Sequence, residues 1–154
     1  MPQPEPLHLE DLSAGMRFTT GSHTVDEAEL VAFARRFDPQ PFHVDDALAR
    51  ETIFGGLAAS GWMTAGITMR LQVDDWPPIA GGLIGAGVTI DWPRATRAGD
   101  TLRVESEVLE VRASRSRPDR GLVTIRSTTL NQREEVVQIL TSTIVVPRRA
   151  AAAR

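Results

Sequence analysis

Asp38 and His43 are a carboxylate and an imidazole five residues apart in the run Phe37-Asp38-Pro39-Gln40-Pro41-Phe42-His43. Two prolines stiffen the segment between them: each fixes its own φ, and Pro39 disfavours the helical conformation at Asp38. A rigidly placed pair of this kind can hold one water within about 2.6 to 3.2 Å of both groups, as proton transfer at a reacting carbon requires. The same spacing also fits a structural pair, with Asp38 bonded to the chain turn and His43 a satisfied core imidazole. The other two histidines, His8 and His23, lie in the polar N-terminal region and read as exposed and idle. His43-Val44-Asp45 has the His-any-Asp spacing of facial-triad iron sites, but such a site needs a second His and none follows His43. No metal site is expected.

Ser60-Gly61 is the second candidate. It opens an apolar segment that reads as a helix, and the first N–H groups of a helix have no internal partner and favour negative charge. Such an N-terminus can bind an oxyanion, and a glycine there lets a substrate carbonyl approach its N–H closely. Ser60 as an ordinary N-cap and Gly61 as a packing glycine are compatible with that role.

Composition narrows the chemistry further. The chain of 154 residues has no Cys, which excludes disulfides, thiolate-bound metals and a thiol nucleophile. All 17 basic residues are Arg, so Schiff-base and P-loop lysine chemistry is excluded as well. A net charge of −3 and a pI near 5.6 give no sign of a nucleic-acid or anionic-membrane binder. The uncharged stretch from Thr52 to Met69 approaches spanning length, but Gly55-Gly56 and Ser60-Gly61 interrupt it and Arg70 follows, so it reads as buried core. The N-terminus Met1-Pro2-Gln3-Pro4-Glu5-Pro6 lacks a basic and an apolar signal region, and a cytoplasmic location is expected.

The elements that must position these residues follow from periodicity. Residues 1–12 read as an extended surface segment, 13–147 as one folding unit and 148–154 as a fraying tail. Met16 to Thr20 suits a short strand. Thr24-Val25-Asp26-Glu27 has capping-box spacing, and Leu30, Phe33, Ala34 and Phe37 form one apolar face of a helix that must stop at Asp38. Asp45 can cap a short helix to Arg50. A third helix is predicted from Ser60 to about Val73, and its apolar residues cover more than one face, so it should be buried nearly all round. Ile84, Ala86, Val88, Ile90 and Trp92 then alternate with smaller or polar residues, a strand closed by Pro93. Further strands are predicted at about 101–112, 120–131 and 134–146. Helices followed by an antiparallel meander define an α+β domain in which the sheet wraps one apolar helix. The strand after Glu134 carries apolar residues on both faces, and one helix covers only one of them, so a homodimer is expected.

The run Phe37-Asp38-Pro39-Gln40-Pro41-Phe42-His43-Val44-Asp45, followed by Phe54-Gly55-Gly56-Leu57-Ala58-Ala59-Ser60-Gly61-Trp62, resembles the MaoC-like dehydratases, whose members include (R)-specific enoyl-CoA hydratases. The family pattern is Asp, any, Asn, Pro, any, His, any, Asp, and later His-Gly or Ser-Gly at the head of the central helix. Gln40 stands here for the common Asn, and Ser60 where many hydratases have His. The resemblance covers nearly the whole chain and implies a hotdog fold: a single domain with a five-stranded antiparallel sheet around a long central helix, assembled as a dimer or dimer of dimers. It implies syn addition of water to a trans-2-enoyl thioester of CoA or an acyl carrier, with no metal or redox cofactor. Asp38 and His43 would share the water and the α-proton, the Gly61 N–H would bind the thioester oxygen, and Gln40, Phe42, Ser60 and Trp62 would line the acyl pocket. For the CoA phosphates, Arg94 and Arg97 after the Trp92-Pro93 corner are the favoured cations. A hotdog thioesterase and a non-catalytic thioester-binding scaffold subunit are the alternatives, the latter disfavoured by the intact Asp38 and His43.

Overall fold

The strands form one antiparallel sheet, ordered β1-β3-β4-β5-β2, in the computed structural model, which describes residues 1–150. The elements are β1 (Arg17–Thr24), α1 (Glu27–Phe37), α2 (Pro41–Val44), α3 (Asp46–Arg50), α4 (Gly61–Asp75), β2 (Ile84–Asp91), β3 (Thr101–Ala113), β4 (Arg120–Leu130) and β5 (Val136–Pro147). This is the α+β hotdog fold, a single sheet around the long helix α4.

Two apolar clusters fill the space between sheet and helix. One gathers Phe18, Trp76, Val108, Val123, Ile125 and Val146 toward the C-terminal end of α4, and the other gathers Leu30, Met63, Ile67, Leu71, Val104 and Val137 nearer its start. Between helix and sheet runs a polar seam. Gln72 donates to Ser127 Oγ at 2.7 Å, Ser127 pairs with Ser106 at 2.8 Å, and Thr68 pairs with Thr129 at 2.7 Å. Gln138 donates to Thr68 Oγ1 at 3.1 Å and accepts from Trp92 Nε1 at 2.9 Å. Every buried polar atom of this seam has a partner, which is the condition for burying it at low cost.

Several expectations are corrected. The helix α4 is buried on one face of the chain only: Trp62, Met69 and Val73 are exposed, because the sheet curls over the Thr64, Thr68 and Gln72 side. The N-terminal segment does not merely lie on the surface. Leu7 bridges Ile79, while Leu9 and Leu12 are buried in the core, where Gly121 leaves the space that Leu9 fills. The tail was expected to fray from residue 148, yet Arg148 and Arg149 are tied to Glu10 and Asp11 by ion pairs, charge doing what apolar docking could not. Residues 151–154 lie outside the described residues. The strand β1 runs four residues past Thr20, since a bulge between Thr19 and Ser22 lets it keep pairing with β3. No helix among the described residues is long and apolar enough to cross a membrane.

Candidate active site

Asp38 ends α1, where its N–H still bonds the Ala34 carbonyl but its backbone has left the helical region, as Pro39 requires. Pro41 then starts the one-turn helix α2 at the position where a missing N–H costs nothing, and that turn swings His43 back toward Asp38. His43 Nε2 lies 3.3 Å from Asp38 Oδ2, with both side chains largely buried. On its other edge His43 Nδ1 lies 2.7 Å from the Ala58 carbonyl oxygen. A carbonyl can only accept, so Nδ1 carries the proton; in the neutral form of the ring Nε2 then presents a lone pair toward Asp38. The sequence left open whether this pair is packed away or available, and the geometry brings it to the wall of a cleft.

Asp38 is held by two neutral donors. Gln40 Nε2 donates to Oδ1 at 2.6 Å and Ser60 Oγ donates to Oδ2 at 2.7 Å. Burial acts to raise its pKa, but these two hydrogen bonds, and the charge of His43 when its ring is protonated, outweigh it and hold the carboxyl below its ordinary value. Ser60 also caps α4, its oxygen accepting from the Trp62 N–H at 3.3 Å. Gly61, next in line, sits directly under the Trp92 ring, and a Cβ there would lie 2.5 Å from Trp92 Cε2.

Asp38, Gln40, His43 and Gly61 line a cleft of about 410 Å³ with Phe54, Ala59, Thr64, Ala95 and Thr96. Trp62 and Trp92 meet edge to face at 5.4 Å across one wall, and Arg94 at the rim pairs with Glu135 at 3.1 Å. Gln40 and Trp62 line the cleft, whereas Ser60, expected in the pocket lining, is fully buried and reaches the site only through its hydrogen bond to Asp38. Phe42 is not part of the cleft lining; its ring packs edge-on against His43 at 4.5 Å and against Phe54 at 5.0 Å, so it braces the imidazole instead. Arg97 is also reassigned: its guanidinium donates to the carbonyls of Phe54, Gly56 and Leu57, acceptors that occupy the fork a phosphate would need. Phe54, Thr64 and Thr96 were missed, as nothing local in the sequence distinguishes them from packing residues. Among the described residues no three His, Asp or Glu side chains converge on one point.

Residues 12–131 match the model of the MaoC like domain, more than three quarters of the chain. The protein belongs to the MaoC-like dehydratase family. A MaoC-like dehydratase of Rhodospirillum rubrum, of known crystal structure, is 56% identical to it, with a TM-score of 0.90 over 94% of this chain and 99% of the other. The uncharacterized protein YdeM of Bacillus subtilis (strain 168) is 30% identical over 131 residues, 83% of this chain and 90% of YdeM. A 3-hydroxybutyryl-CoA dehydratase of Methylorubrum extorquens is 28% identical over 118 residues, 76% and 73% of the two chains. In this MaoC-like protein Gln40 and Ser60 are the two donors to Asp38.

Proposed function

We propose that this protein hydrates trans-2-enoyl-CoA to (R)-3-hydroxyacyl-CoA, or runs the reverse dehydration, without a metal or redox cofactor. The observation that carries the reading is the 3.3 Å approach of Asp38 Oδ2 and His43 Nε2 in the wall of a cleft that Gly61, at the start of α4, also lines. A water seated there donates one hydrogen to each. Its oxygen bonds to Cβ of the enoyl group, the displaced π pair moves onto the thioester oxygen, and the Gly61 N–H stabilises that charge. The proton taken from the water returns to Cα on the same face as the pair re-forms there, so the elements of water add syn and nothing is left over. The relative that is a 3-hydroxybutyryl-CoA dehydratase supports this reaction class.

The test offers crotonyl-CoA and follows loss of the enoyl-thioester absorbance, with thiol release read in parallel by DTNB. Loss of absorbance without free thiol is the expected result, whereas thiol release makes the protein a thioesterase, and neither signal with any short or branched enoyl-CoA overturns the reading. An enoyl-pantetheine beside the enoyl-CoA shows whether Arg94 meets the nucleotide phosphates, since only the CoA substrate would then lose affinity in Arg94→Gln.

The hydrogen bonds to Asp38 have a pH consequence. A carboxyl held below its ordinary pKa stays ionised on the acid side, and removing a donor raises that pKa. Both Ser60→Ala and Gln40→Leu should therefore move the acid limb of the kcat/KM profile to higher pH, Ser60→Ala with an added stability loss of about 0.5 to 2 kcal/mol for the lost cap. Profiles that superimpose on the wild type would show that the acid limb does not follow Asp38.

The homodimer also belongs to this reading. Met69 on α4, itself exposed, faces the edge strand β2, whose Ile84 and Val88 are exposed and which carries no charge from Ile84 to Ile90. A groove of about 410 Å³ between them is walled by Ala65, Met69, Val88, Ile90, Leu140 and Ile144. A long, uncharged, open edge beside an apolar groove is what a monomer avoids. Light scattering at micromolar concentration should give twice the chain mass, and a monomer would refute the assembly.

A further inference from the structure

The proton on His43 is set by one peptide oxygen, and that oxygen is held by a residue outside the cleft. Ala58 is fully buried; its carbonyl accepts from His43 Nδ1 at 2.7 Å while its N–H donates to the Phe42 carbonyl at 3.1 Å. Without that acceptor the imidazole has a better choice: a proton on Nε2 would lie between the ring and the Asp38 carboxylate in a charge-assisted hydrogen bond. The Nε2–H form would present a donor where the water needs an acceptor. The tautomer thus depends on a carbonyl in residues 51–60, a stretch with no helix or strand of its own.

That stretch is splinted on both sides of Ala58 by residues 96 and 97. The Arg97 guanidinium donates to Phe54 O at 2.6 Å, Gly56 O at 2.8 Å and Leu57 O at 3.1 Å, and the Thr96 carbonyl accepts from the Ala59 N–H at 2.8 Å. Arg97 is fixed in turn, its N–H donating to Asp100 Oδ2 at 2.8 Å. Three carbonyls of one loop converging on one planar fork is an arrangement that Lys, a point charge on a flexible stem, does not reproduce.

We propose that Arg97 is a positioning residue: by clamping the carbonyls of Phe54, Gly56 and Leu57 it fixes the Ala58 oxygen and so imposes the Nδ1–H tautomer on His43. Its value to catalysis rests on the hydratase reading, but the tautomer does not. The test is nitrogen-15 NMR of the histidine rings, recorded at a pH where the ring shifts themselves show the neutral form, in the wild type, Arg97→Gln and Arg97→Lys. His43 should be Nδ1–H in the wild type, shift to Nε2–H or an averaged signal in Arg97→Gln, and be mixed in Arg97→Lys. In parallel, kcat should fall roughly 10-fold in Arg97→Gln with KM little changed, since a misplaced catalytic group affects the chemical step. An Nδ1–H signal retained in either folded variant overturns the proposal, as does an altered tautomer with unchanged kcat. If Arg97→Gln does not fold, the Arg97→Lys signal decides alone. Wild-type protein inactive on every enoyl thioester removes the hydratase reading and the rate effect with it, and the NMR still decides the clamp.

Discussion

Asp38→Asn and His43→Ala should each lower enoyl-CoA hydration by roughly 10² to 10⁴-fold, the range for a positioned acid or base. Asn keeps the shape of Asp38 and the hydrogen bond to Ser60 but removes the charge that draws the water's proton. Removing His43 leaves the Ala58 carbonyl without its ring partner, so that variant should also melt earlier, by an amount matching about 1 to 3 kcal/mol. The double variant should be little slower than either single one, because two groups acting on one water do not contribute additively. Initial rates on crotonyl-CoA, with circular dichroism to verify folding, decide the matter. Wild-type rates in either single variant would remove the pair from the mechanism.

Gly61→Ala is expected to rank second. The added methyl would sit 2.5 to 2.8 Å from three atoms of the Trp92 ring, closer than any real contact. Trp92 cannot simply yield, because its Nε1 donates to Gln138, a fully buried residue. Either that bond breaks or the start of α4 shifts, which in the hydratase reading carries the Gly61 N–H off the thioester oxygen. Loss of such a donor costs about 10² to 10³ in kcat, and overpacking adds about 1 to 3 kcal/mol of destabilisation. Shrinking the ring in the same background, Gly61→Ala with Trp92→Leu, should recover part of the stability. A Gly61→Ala enzyme with wild-type kcat would show that the helix start is not where charge develops.

Much of the scaffold could be read without coordinates because its signals are local. The alternation of Ile84 to Trp92, the stop at Asp38 and the opening at Ser60 all rest on neighbouring residues, and β2, the end of α1 and the start of α4 fall within a residue of those positions. The start of α1 differs from the expected cap at Thr24 for a physical reason: Thr24 stays in β1, paired with Thr101 on β3, and Asp26 takes the cap by accepting from the Glu29 N–H. The helix α2 escaped notice because four residues show no period, although Pro41 is a legitimate first residue. At the site, Asp38, His43 and Gly61 could be singled out by residue type. Arg97 could not be placed, since its partners are backbone carbonyls about 40 residues earlier, and a carbonyl leaves no mark on the sequence.

The polar seam under α4 bears on how sharply the helix is aimed. Apolar contacts are non-directional and tolerate a helix turning a few degrees about its axis, whereas hydrogen bonds weaken steeply with angle. Thr68 and Gln72, one turn apart, reach Thr129 and Ser127, on the same strand, so they act like two teeth of a key cut for one rotational setting. Since Gly61 lies two turns from Thr68 on the same rigid rod, that setting also fixes the direction in which its N–H points. The aim of the N-terminal end of α4 is thus indexed from the middle of the core, two turns from the cleft that Gly61 lines.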